Sequence, residues 1–236
     1  MGAGLAGQPA RGLRQHRPGR RGGRRGEQMT EISRRREQMT EIIRIQNVPG
    51  AAEEVGGIIG VSFHDLEVSA WIVPPDDDRR RVMPPFFSML TEHAFTYGEV
   101  YATADMSAVA VWFHNDVAPL PDVPDQAARV EAFAGPHAER FGLLGESMDK
   151  HHPHDPHHYL SFLAVLPDRQ GQGLGSLLLE DYHRRLAEKT GVAAYLEAAN
   201  ARSRELYLRH GYRDLGDPMI LPDGPPMFPM WRPSNP

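Results

Sequence analysis

The sequence has 236 residues, which is enough for one α/β domain with a sizeable core. It contains no cysteine, and this excludes disulfides, thiolate metal sites and a cysteine nucleophile. The net charge is −5, and ten of the 26 basic residues lie within the first 36 positions, so the rest of the chain is strongly acidic. An acidic domain repels phosphate backbones and attracts cations, so we expect a cationic amine as a ligand and no nucleic acid.

The first 38 residues form a Gly/Arg/Pro-rich segment with few apolar side chains, and this composition predicts disorder. The hexapeptide EQMTEI occurs at 27–32 and again at 37–42. The segment is either a basic arm for an anionic partner or an extension ahead of a start at Met29 or Met39, and we favour the second reading. No apolar run approaches the ~20 residues of a membrane span, and no secretory signal is evident, so we expect a cytoplasmic protein without a membrane partner.

Strand and helix patterns alternate through residues 39–236, the expected folded domain. The apolar periodicity predicts strands near 41–48, 99–105, 107–114, 159–165, 193–198, 212–221 and 227–231. It predicts helices near 51–63, 86–97, 123–149 with a break at Gly135 and Pro136, 176–191 and 201–210. The Pro/Asp/Arg-rich stretch 73–85 is predicted as a connection. This order predicts an α/β fold, in which a mixed central sheet of about six to seven strands carries helices on both faces.

A glycine-rich loop follows the apolar strand before 166 and leads directly into an amphipathic helix. Its sequence from Gln170 is QGQGLG, with glycines at 171, 173 and 175. Such a loop presents free backbone N–H groups at the positive end of a helix, where a phosphate or pyrophosphate is stabilised. The spacing fits neither the G-x-G-x-x-G dinucleotide fingerprint nor a Walker loop, which ends in G-K-[ST].

The loop resembles the acyl-CoA loop of the GNAT superfamily of N-acetyltransferases, whose pattern is Q/R-x-x-G-x-G/A. Gln170, Gly173 and Gly175 match that pattern. About 30 residues later, the segment LEAANARSRELYLRHGY resembles a second GNAT motif, in which Asn200, Tyr207 and a closing Gly-aromatic pair occupy the expected places.

A narrower resemblance concerns the stretch HHPHDPHHYLSFLAV, residues 151–165. It is similar to the H-x-P-x-x-P segment of the puromycin N-acetyltransferase group of that superfamily. The similarity extends over about 43–232 and is weakest at 50–150, where acceptor choice is made.

The resemblance implies acetyl-CoA as cosubstrate, a small amine as acceptor and direct attack of the amine in a ternary complex. It assigns Tyr207 as general acid and the backbone N–H of Val165 as donor to the thioester oxygen. The residues it implies in acetyl-CoA binding are Leu163, Val165, Gln170, Gly171, Gln172, Gly173, Leu174, Gly175, Ser176, Asn200, Ser203 and Tyr207. For the general base we rank Glu197 first, Glu99 second and His158 third; Asn200 is expected as a helix N-cap, a pantetheine contact or both.

Other readings of the same residues stay open. The five histidines of 151–158 invite a metal site, but we expect a surface loop or the rim of the acceptor site, with His151 at its mouth and no bound metal. Trp112 is the aromatic residue we expect in the pocket wall. The alternatives to a small-molecule enzyme, which could act in antibiotic resistance, are acetylation of a protein N-terminus or lysine and a non-catalytic acyl-CoA sensor. A monomer or a homodimer is expected.

Overall fold

A computed structural model describes residues 41–189 and 192–234 of the chain. The predicted disordered extension, 1–38, lies outside these residues. The strands are β1 Ile42–Arg44, β2 Gly98–Thr103, β3 Ala108–Asn115, β4 His157–Val165, β5 Ala193–Ala198, β6 Arg213–Asp214, β7 Met219–Ile220 and β8 Pro226–Arg232. The α-helices are α1 Ala51–Phe63, α2 Glu67–Ile72, α3 Asp76–Tyr97, α4 Gln126–Ala134, α5 Ala138–His151, α6 Leu174–Lys189 and α7 Ala201–Arg209.

The strands form one mixed sheet in the order β1-β2-β3-β4-β5-β8-β6, with β7 paired to β8. All neighbouring pairs are antiparallel except β4 and β5, which are parallel. The parallel pair is connected through the glycine loop and α6, because parallel strands need a long crossover. The predicted mixed sheet with flanking helices is confirmed, and it is the arrangement expected of the GNAT fold; it has eight strands in the described residues and not six to seven, because the predicted strand 212–221 is two short strands.

Strands β4 and β5 pair over only three residues. The register runs from His157 opposite Ala193 to Tyr159 opposite Tyr195, although β4 continues to Val165 and β5 to Ala198. Beyond Tyr159 the two strands therefore diverge, and we call the space between their carboxyl ends the β4–β5 gap.

A β-bulge in β4 changes which side chains face each side of the sheet. Val111 of β3 lies opposite Phe162, but the next residue, Trp112, lies opposite Leu160, so Ser161 is the extra residue. As a result, Leu160 packs with α6, and Phe162 packs on the opposite face with α1 and α3.

Two apolar cores cover the two faces of the sheet. The core under α1, α3 and α5 includes Val55, Phe87, Val109 and Phe141. The core under α6 and α7 includes Trp112, Leu178, Tyr182 and Tyr207. Helices lie on both faces, as predicted.

Helix α3 corrects one prediction, because the stretch 73–85 is not a connection. The helix begins at Asp76, where three acidic residues occupy the first turn and complement the positive end of the helix dipole. Pro84 and Pro85 lie inside the helix, where each removes a backbone donor. The Ser88 hydroxyl donates to the Pro84 carbonyl at 2.9 Å, one turn earlier in the helix. Helix α2 was also not predicted.

Two adjacent glycines of α1 give a stability test of the α1–α3 packing. A β-carbon at Gly56 would lie 2.6 Å from the Ser88 backbone nitrogen, whereas one at Gly57 would meet nothing within 4 Å. We expect Gly56→Ala to destabilise the fold by ~1–3 kcal/mol through overpacking. Gly57→Ala, the matched control, should stabilise it by about 0.5–1 kcal/mol through helix propensity. Urea denaturation of both variants measures this, and equal effects would contradict the packing.

Candidate functional site

One large cavity, of about 1030 Å³, opens at the β4–β5 gap. It extends from the glycine loop and α7, past the carboxyl end of β5, to the space between α1, α3 and α5. Twelve of the thirteen predicted site residues line it: Leu163, Val165, Gln170, Gly171, Gly173, Leu174, Gly175, Ser176, Glu197, Asn200, Ser203 and Tyr207. The exception is Gln172, which is exposed and donates from Nε2 to the Asp168 carbonyl at 3.3 Å.

Two positions of the glycine loop favour glycine because of their backbone conformation. Gly171 and Gly173 have φ of 74° and 85°, in the left-handed region that glycine tolerates. A β-carbon on either would meet nothing within 4 Å, so conformation and not crowding by the chain is the reason for glycine at these two positions. Gly175 is different, because its β-carbon would lie 3.6 Å from Leu206 in ordinary contact.

The loop ends in the free amides of a helix N-terminus. The first helical hydrogen bond of α6 runs from the Leu177 N–H to the Gly173 carbonyl at 3.0 Å. The amides of Leu174, Gly175 and Ser176 therefore have no partner within the helix. Together with the helix dipole, they form a site suited to a phosphate group.

The edge of β4 offers a second set of backbone donors to the cavity. The Leu166 N–H donates to the Ser107 carbonyl at 2.9 Å, on the β3 side of the strand. The N–H and C=O of Val165 therefore point to the other side, toward the β4–β5 gap. The Gln170 amide confirms this direction, since its Nε2 donates to the Val165 carbonyl at 3.2 Å. Leu163 lies two residues earlier and shares this orientation. An extended amide-bearing chain can pair with this edge as an added strand does.

Helix α7 forms the opposite wall of the gap and begins with a capping box. The Asn200 Oδ1 accepts from the Ser203 N–H at 2.9 Å, and the Ser203 hydroxyl accepts from the Asn200 N–H at 3.2 Å. The predicted N-cap role of Asn200 is thus confirmed, and its pantetheine contact stays a prediction.

Glu197 is the carboxylate of β5 that faces the cavity. Its Oε1 atom is shielded from solvent and accepts no hydrogen bond from the described residues. Burial raises the pKa of this carboxyl to about 7, against the opposing effect of the Tyr159 and Tyr195 hydroxyls, and the charge of Asp149 adds to the rise. A carboxyl that titrates near neutrality in a cavity can accept a proton from a substrate.

Tyr207 is buried on α7, and its ring lies 5.7 Å from the ring of Tyr212. Burial raises the pKa of its hydroxyl above the ordinary value of 10. The group is therefore protonated at neutral pH and can donate a proton.

The other predicted candidates lie away from the cavity. Glu99 is 3.4 Å from Arg44 and 3.6 Å from His114, and His158 is 2.7 Å from the Tyr182 hydroxyl and 3.5 Å from Asp116. Neither Glu99 nor His158 lines the cavity.

Two further predictions about side chains are corrected. Trp112 is fully buried and stacked on Tyr182 at 3.9 Å, so it is a core residue and not part of the pocket wall. His151 is exposed at the end of α5, whereas His152 and His154 line the cavity in its place.

The histidine-rich segment is arranged by hydrogen bonds. The His152 Nε2 lies 3.0 Å from the His157 Nε2 and 2.9 Å from the Asn115 Nδ2. Burial lowers the pKa of His152 to about 4, so its ring is neutral at pH 7. Within 41–189 and 192–234, no group of three or more His, Cys, Asp or Glu side chains is placed to hold a metal ion.

Sequence reasoning missed the arginines that line the cavity among the described residues, Arg169, Arg202 and Arg209. Arg202 and Arg209 are exposed on α7 and line the cavity near the glycine loop. Arg202, Leu206 and Arg209 are spaced so that they lie on one helix face. That spacing was the signal in the sequence from which the two arginines could have been assigned to the site. The described helices include none that is long and apolar enough to cross a membrane.

The fold and this site thus combine a glycine loop at a helix N-terminus, an open strand edge and a cavity between two diverging parallel strands. The family model described as "Acetyltransferase (GNAT) family" matches residues 130–212, the region of α5, β4, the glycine loop, α6, β5 and α7.

Solved structures share the fold over most of the chain. A structure from Corynebacterium glutamicum, described as histone acetyltransferase HPA2 and related acetyltransferase, is 24% identical with a TM-score of 0.62 and covers 82% of this chain and 97% of its own. Arylalkylamine N-acetyltransferase 2 from Aedes aegypti is 13% identical with a TM-score of 0.55, over 83% of this chain and 100% of its own. An N-acetyltransferase from Staphylococcus aureus is 14% identical with a TM-score of 0.50, over 80% and 99%.

Residues 130–212 are thus similar to the GNAT acetyltransferase family, and the chain shares its fold with solved acetyltransferase structures. The narrower likeness to the puromycin N-acetyltransferase group is not confirmed by these comparisons.

The raised pKa of Glu197 predicts a pH-dependent stability. The carboxyl has an ordinary pKa of 4.5 and a folded-state pKa of about 7, so the folded chain binds its proton more tightly. Its contribution to the free energy of unfolding is full below pH 4.5 and is lost as the pH rises through about 7. We expect Glu197→Gln to gain stability relative to the parent protein between about pH 5 and about pH 8, measured by urea denaturation.

The matched control for this measurement is Glu131→Gln. Glu131 is exposed on α4 and does not line the cavity. Its variant should follow the parent protein at both pH values, and a Glu197→Gln curve that also follows the parent would contradict the burial of this carboxylate.

Proposed function

We propose that this protein is an N-acetyltransferase that moves the acetyl group of acetyl-CoA to the amine of a small molecule in a ternary complex. One observation carries the proposal: the same cavity is lined by the glycine loop, by the edge of β4 that has no strand partner and by the carboxylate of Glu197. The glycine loop can bind the pyrophosphate of acetyl-CoA, and the strand edge can pair with its extended pantetheine arm. The carboxylate can accept a proton from an amine.

The donor's parts match the cavity in order. The pyrophosphate would bind the amides of Leu174, Gly175 and Ser176, with Arg202 and Arg209 nearby to complement its charge. The pantetheine arm carries amide groups, and it would pair with the backbone of Leu163 and Val165 at the β4–β5 gap. The thioester then reaches the end of β5, where Glu197 is located.

The proposed step replaces one acyl bond by another. The neutral amine nitrogen attacks the thioester carbon, a C–N bond forms and the C–S bond breaks. A substrate that starts as an ammonium loses two protons overall. One is released to solvent, and the other accounts for the proton that the CoA sulfur gains when it leaves as a thiol. The Val165 N–H is proposed to stabilise the negative charge that develops on the carbonyl oxygen.

Two side chains have proton-transfer roles in this proposal. Glu197, with its pKa of about 7, accepts the proton that the ammonium must lose before attack. Tyr207 donates a proton to the departing sulfur, for which its raised pKa keeps the hydroxyl protonated.

The glycine loop provides a test of donor binding. Gly173→Glu places a carboxylate where the pyrophosphate would bind, and we expect affinity for acetyl-CoA to fall at least ~100-fold, measured by calorimetry. Gly216→Glu is the matched control: Gly216 also has a positive φ, of 75°, and open space around it, but it lies outside the cavity. Both variants bear the same backbone strain, so equal affinities would remove the loop from the binding site.

Tyr207 provides a test of turnover. We expect Tyr207→Phe to lower kcat about 100-fold or more in a thiol-release assay with acetyl-CoA and an accepted amine, with acetyl-CoA affinity kept. Tyr212→Phe removes a similarly buried hydroxyl, which lies 3.0 Å from the His183 Nε2 and does not line the cavity. The control should keep its kcat, and unchanged turnover in Tyr207→Phe would exclude the general-acid role.

A further inference from the structure

The inner end of the cavity is walled by phenylalanines, which we call the aromatic chamber. It receives side chains from α1, α3, α5, β3 and β4, and its six rings are Phe63, Phe86, Phe87, Phe113, Phe141 and Phe162. All six pack on the face of the sheet that α1, α3 and α5 cover, opposite the face covered by α6 and α7.

Five of the six rings contact one another, mostly edge-on, whereas Phe113 lies against Tyr159. Phe162 and Phe87 lie 5.0 Å apart at 80°, Phe63 and Phe87 lie 5.7 Å apart at 88°, and Phe86 lies 4.7 Å from Phe141. This arrangement places ring edges and faces toward the cavity, where a further ring can add to it.

The chamber is incompletely covered by the chain itself. Phe87, Phe113 and Phe141 are buried, but Phe63, Phe86 and Phe162 are only half-buried at the cavity surface. Apolar surface left open inside a cavity is stabilised when an apolar ligand covers it.

The charges of the cavity are separated along its length. Among the described residues that line it, the arginines are Arg169, Arg202 and Arg209, which all belong to the glycine loop and α7. The carboxylates of Glu197, near the end of β5, and Asp149, near the end of α5, also line the cavity, and Asp149 is close enough to raise the pKa of Glu197. A cation is therefore stabilised beside these two carboxylates, and the same helix α5 contributes Phe141 to the chamber.

Two more acidic residues, Asp116 and Asp122, line the cavity. Asp116 lies 3.5 Å from the His158 Nε2, and Asp122 is exposed. The chamber rings themselves carry no charge, so a second cationic group packed among them loses its water without an ion-pair partner from those rings.

We propose that the acceptor is a primary amine with an aromatic body, whose ring packs in the aromatic chamber and whose amino group lies between Asp149 and Glu197. This inference rests on the proposed function and adds the class of its substrate. A short aliphatic amine leaves the chamber uncovered, and a linear diamine places its second ammonium among the rings.

The test compares three amines by calorimetry on protein saturated with CoA: 2-phenylethylamine, ethylamine and putrescine. We expect 2-phenylethylamine to bind ~10–100-fold more tightly than ethylamine, because its ring is removed from water. The same order is expected for kcat/KM in thiol release.

Two alanine variants locate the ring in the cavity. Phe86→Ala should reduce the preference for 2-phenylethylamine over ethylamine by about 10-fold, and it should leave CoA affinity unchanged. Phe133→Ala is the matched control, because Phe133 is half-buried 6.4 Å from Phe141 but does not line the cavity. The control should keep the preference, and thermal denaturation verifies that both variants fold.

The outcomes separate this inference from the proposed function. Equal binding of the three amines, tightest binding of putrescine through cation–π contacts, or a preference that survives Phe86→Ala overturns the aromatic acceptor. Failure of CoA and acetyl-CoA to bind overturns the proposed function. The affinities of the three amines are also measured without CoA, and their order then still decides the inference.

Discussion

The divergence of β4 and β5 is the constraint on which the site depends. The strands pair over three residues and then separate, so the backbone edge at Leu163 and Val165 faces a cavity instead of a neighbouring strand. The same divergence lets the α6 N-terminus and α7 approach the gap from one face, with Glu197 at its inner end. A fully paired β4–β5 ladder would close this space and leave no room for an extended ligand.

Much of the fold follows from local sequence pattern. The helix 51–63 and the strand 193–198 match their predicted bounds, because each has a clear apolar period and defined ends. Helix α3 was predicted too short because Pro84 and Pro85 argue against a helix interior. The tertiary packing of α3 on α1 overrides that local preference, and the acidic triplet at 76–78 was the unused signal of its true start.

The site residues that belong to one contiguous motif could be predicted from the sequence. Those that come together only when distant segments pack could not. The glycine loop and Asn200 are contiguous with elements of clear pattern, so their positions around one cavity follow from the motifs. Trp112 was misplaced because strand alternation tells which residues share a face but not which face lines the cavity; Trp112 shares its face with Ala108 and Ala110, under α6. The aromatic chamber collects rings from five elements between residues 63 and 162, and no sequence pattern indicates that they meet.

The open edge in the β4–β5 gap links folding to ligand supply. Backbone groups that face a cavity lack the strand partner that the rest of the sheet provides, so an occupant that pairs with them stabilises the folded chain and has no such site in the unfolded one. That stabilisation grows with the logarithm of ligand concentration, at ~2.7 kcal/mol for a hundredfold excess over Kd. The lifetime of the folded protein in a cell is then set partly by the concentration of whatever fills the gap.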